Sequence, residues 1–179
     1  MIVVNLFGAP GSGKSTGAAR IFSTLKMAGV NVELVTEYAK DKFWEENKGV
    51  FKDQLYIFAK QNFKISRLKD KVDVVVTDSP ILLSILYNET YSNTFVKLVK
   101  EVFDNSTNLN FYLNRVKPYD TNGRFQNEKE SQELSKKLKN ILKEQNINYE
   151  EYDGNLYGYD SIAYKIIQYL KNNKQNEEQ

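Results

Sequence analysis

Apolar residues in this chain come in two spacings. In short runs they are nearly continuous, and in longer stretches they recur every third or fourth position. Ile2 to Phe7 is apolar except for Asn5, and Val72 to Thr77 is apolar except for Asp73; both read as strands buried on two faces. Asn31 to Thr36, Leu109 to Asn114 and Asn148 to Tyr152 read as further strands. Helical spacing fills the intervals. Ser15 to Ala28 places Ala18, Ala19, Ile21, Phe22 and Leu25 on one face, and Gly29 supplies its stop. Gly17 is a poor helix former and points to close packing against the loop or the sheet. Tyr38 to Asn47 is expected to be helical up to a break at Lys48-Gly49. Asp53 to Lys71 is expected as one long helix, with Leu55, Phe58, Ala59, Phe63 and Leu68 near helical spacing. Helices are also expected over Ile81 to Tyr87 behind Pro80, Asn93 to Asp104, Glu128 to Gln145 and Tyr159 to Asn172. Leu134, Leu138, Ile141 and Leu142 should point inward.

Strands that alternate with helices predict an α/β fold, a five-stranded parallel sheet flanked by helices. Residues 1–172 read as a single domain, and the polar tail 173–179 as disordered. Ligands of such sheets sit at the carboxyl ends of the strands. The polar features of the chain fall at those ends, which is where candidate chemistry is sought.

The first strand runs into Gly8-Ala9-Pro10-Gly11-Ser12-Gly13-Lys14-Ser15, followed by Thr16. This fits G-x-x-x-x-G-K-[ST] at full length and in the strand–loop–helix context the motif requires. The backbone can curl so that N–H groups face phosphate oxygens, Lys14 reaches the β- and γ-phosphates, and the Ser15 hydroxyl ligates Mg²⁺. A helix beginning at this point aims its positive end at the same anion. The motif implies a P-loop NTPase fold and a bound nucleoside triphosphate, with ATP and Mg²⁺ as the expected cofactors.

Asp78 closes the third strand in the form of a Walker B acid, a metal ligand; it also suits an N-cap before Pro80. Glu37 follows the second strand and can accept a proton from an attacking hydroxyl; it also suits a first helical turn. The segment Arg115 to Gln126 carries Arg115, Lys117 and Arg124 around Gly123, the composition of an arginine-bearing lid. Arg115 and Arg124 are its candidates for stabilising transferred charge. Gln61 and Arg67 are candidate acceptor contacts on the long helix. Asp153, in Asp153-Gly154-Asn155, is a candidate for the donor-base loop or a simple turn.

Composition narrows the chemistry. The chain has no cysteine and no histidine, which excludes disulfides, thiolate metal sites and histidine catalysis. Acid–base work falls to Asp, Glu, Lys or Tyr. Twenty-five basic against 23 acidic residues give a net charge of +2, too balanced to favour nucleic acid as a main partner. The helix bearing Lys136-Lys137-Leu138-Lys139 also carries glutamates and reads as a solvated face. The chain opens directly on a strand without room for a signal peptide, and no apolar run approaches the roughly 20 residues of a membrane span, so a cytoplasmic location is expected. Self-association is left open.

These residues together resemble a family. The P-loop, Thr36-Glu37-Tyr38, Gln61 and Arg67, Thr77-Asp78-Ser79-Pro80 and Arg115 to Arg124 look like the small P-loop nucleoside and nucleotide kinases. The likeness is greatest to the nicotinamide riboside kinase-like ATPase/kinase group, which includes phage proteins; deoxynucleoside kinases and thymidylate kinase are more distant. The resemblance implies that Glu37 acts as base or substrate ligand and that Arg115 and Arg124 contact the transferring phosphate. Deoxynucleoside kinases usually carry Glu-Arg-Ser after the third strand and thymidylate kinase Asp-Arg, where this chain has Asp78-Ser79-Pro80. The expected activity is ATP- and Mg²⁺-dependent transfer of the γ-phosphate to a small acceptor, a nucleoside or nucleotide. A kinase of a hydroxylated base in DNA and an NTP-hydrolysing ATPase are the alternatives.

Overall fold

The structure is a computed structural model. It describes residues 1–44, 48–120 and 127–177, with the side chains of 41, 43, 44, 48 and 174–177 outside the description. Five strands form one parallel sheet: β1 (Ile2–Phe7), β2 (Val32–Val35), β3 (Val74–Thr77), β4 (Thr107–Asn114) and β5 (Glu150–Asp153). Their spatial order is β2-β3-β1-β4-β5. Crossovers are α1 (Lys14–Met27), α2 (Tyr38–Trp44), a 3₁₀ turn (Lys48–Lys52), α3 (Gln54–Ser66), α4 (Leu83–Leu86), α5 (Asn93–Asp104), α6 (Glu128–Glu144) and α7 (Leu156–Glu177).

Alternation along β1 divides the core. Val4 and Leu6 face α1 and α7, packing on Ile21, Leu25, Ile162 and Ile166. Val3 and Phe7 face the other layer, with Phe58 of α3, Val99 of α5 and Leu142 of α6. Asn5, the one polar residue of β1, is buried and satisfied by β4. Its Nδ2 donates to Asn108 Oδ1 at 2.8 Å and to Asn110 Oδ1 at 3.0 Å, and Asn110 is its register partner. Both asparagines pass the chain of hydrogen bonds on to main-chain carbonyls, so no amide in the sheet is left costly and unpaired.

Most elements follow the sequence pattern, with differences at their ends. α1 stops as expected at Gly29, whose N–H bonds Lys26 while Val30 N–H reaches back to Leu25 O. Ala19, assigned to the inner face, is exposed. The long helix expected over Asp53 to Lys71 ends at Ser66, with Asp53 as its N-cap, accepting from Tyr56 N at 3.0 Å. Its buried face is Gln54, Ile57, Phe58, Gln61 and Ile65, whereas Leu55 (41%) and Phe63 (63%) are exposed. α7 runs on into the polar tail, to Glu177. Among the described residues, no helix is long and apolar enough to cross a membrane.

The turn between β5 and α7 packs directly behind the loop after β1. A Cβ on Gly154 would lie 2.1 Å from Ser12 O and 3.1 Å from Asn114 O, two main-chain atoms that cannot yield independently. Gly154→Ala should therefore destabilise the domain by about 2–3 kcal/mol through overpacking. Thermal melts of the variant with and without ATP check this; an unchanged melting temperature would show that the contact yields freely.

Candidate phosphate and metal site

The loop Gly8–Lys14 curls under constraints from three sides. From behind, the Tyr159 hydroxyl donates to Gly13 O at 3.1 Å. Gly13 has φ +92°, and a Cβ there would meet that hydroxyl at 2.3 Å, so glycine is required both for conformation and for space. The Tyr159 ring also fills the position beside Gly17, 2.7 Å from a Cβ built there, so the closest approach comes from α7, with Leu113 of the sheet next at 3.4 Å. From the side, Ser131 on the first turn of α6 donates to Pro10 O at 2.7 Å. Within the loop, Ser12 N–H bonds Ala9 O at 3.1 Å.

Lys14 folds back over the loop, its Nζ donating to Gly8 O at 2.8 Å and Ala9 O at 3.2 Å. The buried Ser12 hydroxyl and one oxygen of buried Asp78 have no hydrogen-bond partner among the described residues. A buried, unpartnered carboxylate oxygen is costly unless a ligand satisfies it. Asp78 follows Thr77, the register partner of Asn5 on β1, so it lies at the same sheet edge as the P-loop. Ser15 is exposed on the first turn of α1. A hard cation with oxygen ligands fits this pair, the remainder of its shell coming from phosphate or water. Among the described residues there is no group of three or more carboxylates that would hold a metal without such help.

Glu37 lies between the end of β2 and the start of α2, an edge fixed by Gln61. The Gln61 carbonyl oxygen accepts from Tyr38 N at 2.9 Å, and its amide nitrogen donates to Thr77 Oγ1 at 3.4 Å and Thr36 O at 3.5 Å. Gln61, the candidate acceptor contact, is buried and ties the end of β2 to the end of β3, with both ends of its amide bonded within the chain. Lys64 adds a bond from Nζ to Thr36 O at 2.7 Å.

Arg67, the other candidate acceptor contact on this helix, is its C-cap residue. It lies six residues beyond Gln61 on the same helix, about 9 Å further along the axis. Beyond it the chain turns into β3 at the amino edge of the sheet, where Asp73 N bonds Asn31 O at 2.9 Å. Arg67 is exposed there.

Arg115 is brought to the P-loop. Its Cδ is 3.6 Å from a Cβ position on Gly11, its guanidinium lies 5.3 Å from the Tyr119 ring centroid, and its Nη2 donates to Glu128 at 2.6 Å. The Tyr119 ring itself comes within 3.1 Å of that Gly11 position. Arg124 and Gly123 lie outside the described residues. Asp153 is exposed at the end of β5, in an open cleft with Asn114, Asn155 and Tyr157 beside the turn that backs the P-loop.

Three tyrosines in this site were not legible beforehand. Tyr159 backs the P-loop, Tyr119 covers it, and Tyr87 stands near Glu37. Burial pushes the Tyr87 hydroxyl well above its ordinary value, and the Glu37 carboxylate and Tyr119 push the same way. Tyr87 therefore stays a neutral hydroxyl through the physiological range. Nothing in the apolar run Ile81 to Tyr87 signals this, because the contacts span long sequence separations.

The chain matches the AAA domain family over residues 3–156. It belongs to that family. Solved structures share the whole architecture of this AAA domain. Deoxyadenosine kinase from M. mycoides with bound dATP superposes with a TM-score of 0.59 at 18% identity, covering 94% of this chain and 99% of that one. The same enzyme with products dCMP and a flexible dCDP gives 0.53 at 18% identity, covering 95% and 99%. The YorR protein from Bacillus subtilis, in complex with phosphorylated GDP, gives 0.61 at 14% identity, covering 97% and 98%. At these identities the likeness establishes the fold, a P-loop kinase-like α/β domain. No curated protein matches the sequence.

The geometry makes two separable expectations. Asp78→Asn should weaken nucleotide binding measured with Mg²⁺ by at least about tenfold and leave metal-free binding nearly unchanged; calorimetry with and without EDTA checks this, and equal losses would return Asp78 to a purely structural role. Lys14→Ala should leave the far-ultraviolet dichroism intact and reduce nucleotide turnover by about a hundredfold or more. Turnover at the wild-type rate would remove the lysine from the phosphate site.

Proposed function

We propose that this AAA domain is an ATP- and Mg²⁺-dependent phosphotransferase that moves the γ-phosphate to a hydroxyl of a nucleoside or nucleotide. The observation that carries the reading is the meeting, on one sheet edge, of a P-loop with buried unpartnered Ser12 and Asp78 oxygens and of Glu37. The likeness to deoxyadenosine kinase and to a protein complexed with phosphorylated GDP supports a kinase over a hydrolase. Kinship with the nicotinamide riboside kinase-like group is part of the proposal.

Magnesium, when bound, neutralises charge on the phosphates. The rest falls to the chain. Lys14, now on Gly8 and Ala9, would turn to the β- and γ-phosphate oxygens, and Ser15 and Asp78 would hold the cation. Glu37 orients the acceptor hydroxyl and receives its proton, a role open to a carboxylate because the chain has no histidine. Arg115, steadied by Glu128 and Tyr119, stabilises charge on the transferring group, with Arg124 on the same segment as a second cation. Asp153 borders the donor base.

Glu37→Gln keeps the shape and removes the charge. With labelled ATP, Mg²⁺ and a pool of nucleosides and nucleotides, it should bind ATP normally and label the acceptor about a hundredfold more slowly than wild type. Normal acceptor labelling by this variant would leave Glu37 as a solvated helix-start residue and remove the base from the scheme.

A further inference from the structure

The helix α3 carries more apolar and aromatic residues than its buried face uses. Tyr56 and Phe63 are 40% and 63% exposed, and with Lys60 they stand at i, i+4 and i+7, one stripe on the outer face. By the helical rise, Tyr56 and Phe63 are separated by about 10 Å along the axis. The upper end of the stripe adjoins the site. Tyr38, the residue after Glu37, meets Tyr56 edge to face with centroids 5.9 Å apart, and their hydroxyls are hydrogen-bonded at 3.0 Å.

Cations accompany the rings. Lys42 Nζ lies 5.5 Å from the Tyr38 centroid, and Lys60 Nζ 5.4 Å from that of Tyr56. Both ammonium groups are thus held at the ring faces rather than dispersed into solvent. The nearby Asp53 carboxylate accepts from Tyr56 N–H and the Tyr91 hydroxyl on one oxygen, bonds that lower its pKa and keep it ionised. A line of π-surfaces with interleaved ammonium groups matches a polymer of bases and phosphates: bases stack without regard to sequence, and lysines neutralise the phosphates between them.

We propose that the stripe Tyr38, Tyr56, Lys60 and Phe63 binds single-stranded nucleic acid and leads it to the edge at Glu37. That the strand carries the acceptor hydroxyl rests on the kinase reading above; that the stripe binds it does not. The net charge of +2 conceals this surface, because binding depends on where the cations stand and not on their sum.

The test uses the full chain and a fluorescent oligothymidylate of roughly 15 nucleotides, long enough to cover one binding surface. Anisotropy is measured without ATP, across about 50 to 200 mM salt. Wild type should bind, more weakly as salt rises, and a duplex of the same length should bind less well. Phe63→Ala should weaken binding roughly tenfold, the loss of one stacking platform. Lys60→Ala should lower the salt slope by about 0.7, one phosphate contact on a single strand. Neither residue touches the P-loop, so both variants should bind ATP as wild type does. No binding at low salt, or wild-type binding by both variants, overturns the proposal. So does a wild-type dimer that Phe63→Ala dissolves while the oligonucleotide stays unbound, since a second copy would then own the stripe. Phosphoryl transfer is scored separately, to mononucleosides and to the oligonucleotide: transfer to neither, alongside intact oligonucleotide binding, counts against the kinase reading and leaves the binding surface standing.

Discussion

The structure depends on holding one strained turn open. The loop Gly8 to Lys14 must present its N–H groups to the inside of the curl, so the outer side of the backbone has to be supported by other elements. Tyr159 does this from α7, through a bond to Gly13 O and a ring packed on Gly17. Gly154 lets the main chain of the β5–α7 turn press on Ser12 O, and Ser131 ties Pro10 from α6. The supports come from the C-terminal third of the chain. The loop is therefore completed only when β4 and β5 have joined β1, and binding is coupled to the integrity of the whole sheet.

The same logic places the carboxylates. Parallel strands bring their carboxyl ends to one edge, but the end of an edge strand such as β2 needs a further tie. Gln61 supplies it, bonding across from Tyr38 N to Thr77 Oγ1. The strand ends that lead into Glu37 and Asp78 are thereby tied to each other by one buried residue. Buried polar groups in this protein come in two kinds. Asn5 and Gln61 are satisfied by the fold, and Ser12 and Asp78 are not. That contrast marks where a ligand belongs.

The sequence carries the first strand, the P-loop and the alternation of strands and helices plainly, because a full motif sits in the context it needs. It is silent on the inner face of α3. Apolar or aromatic residues lie on nearly every side of that helix, so periodicity cannot choose a face, and Leu55 and Phe63 come out exposed while Ile57 and Ile65 are buried. Gln61 and Arg67 look alike as polar residues on an apolar helix. Six residues of rise separate them into a brace at one sheet edge and an exposed residue at the other. Tyr87, Tyr119 and Tyr159 act across large sequence separations, which no local pattern records. Net charge likewise hides a local surface in which lysines stand over exposed rings.

In the proposed reaction the γ-phosphate is handed to an acceptor hydroxyl at the edge shared by Lys14, Asp78 and Glu37. Phosphorus NMR of wild-type protein with Mg²⁺ and ATP, recorded with and without a nucleoside pool, follows each phosphate directly. The account predicts acceptor-dependent loss of ATP with a new phosphate ester rising in step with ADP. Inorganic phosphate rising in step with ADP, at the same rate whether or not acceptor is present, would contradict it.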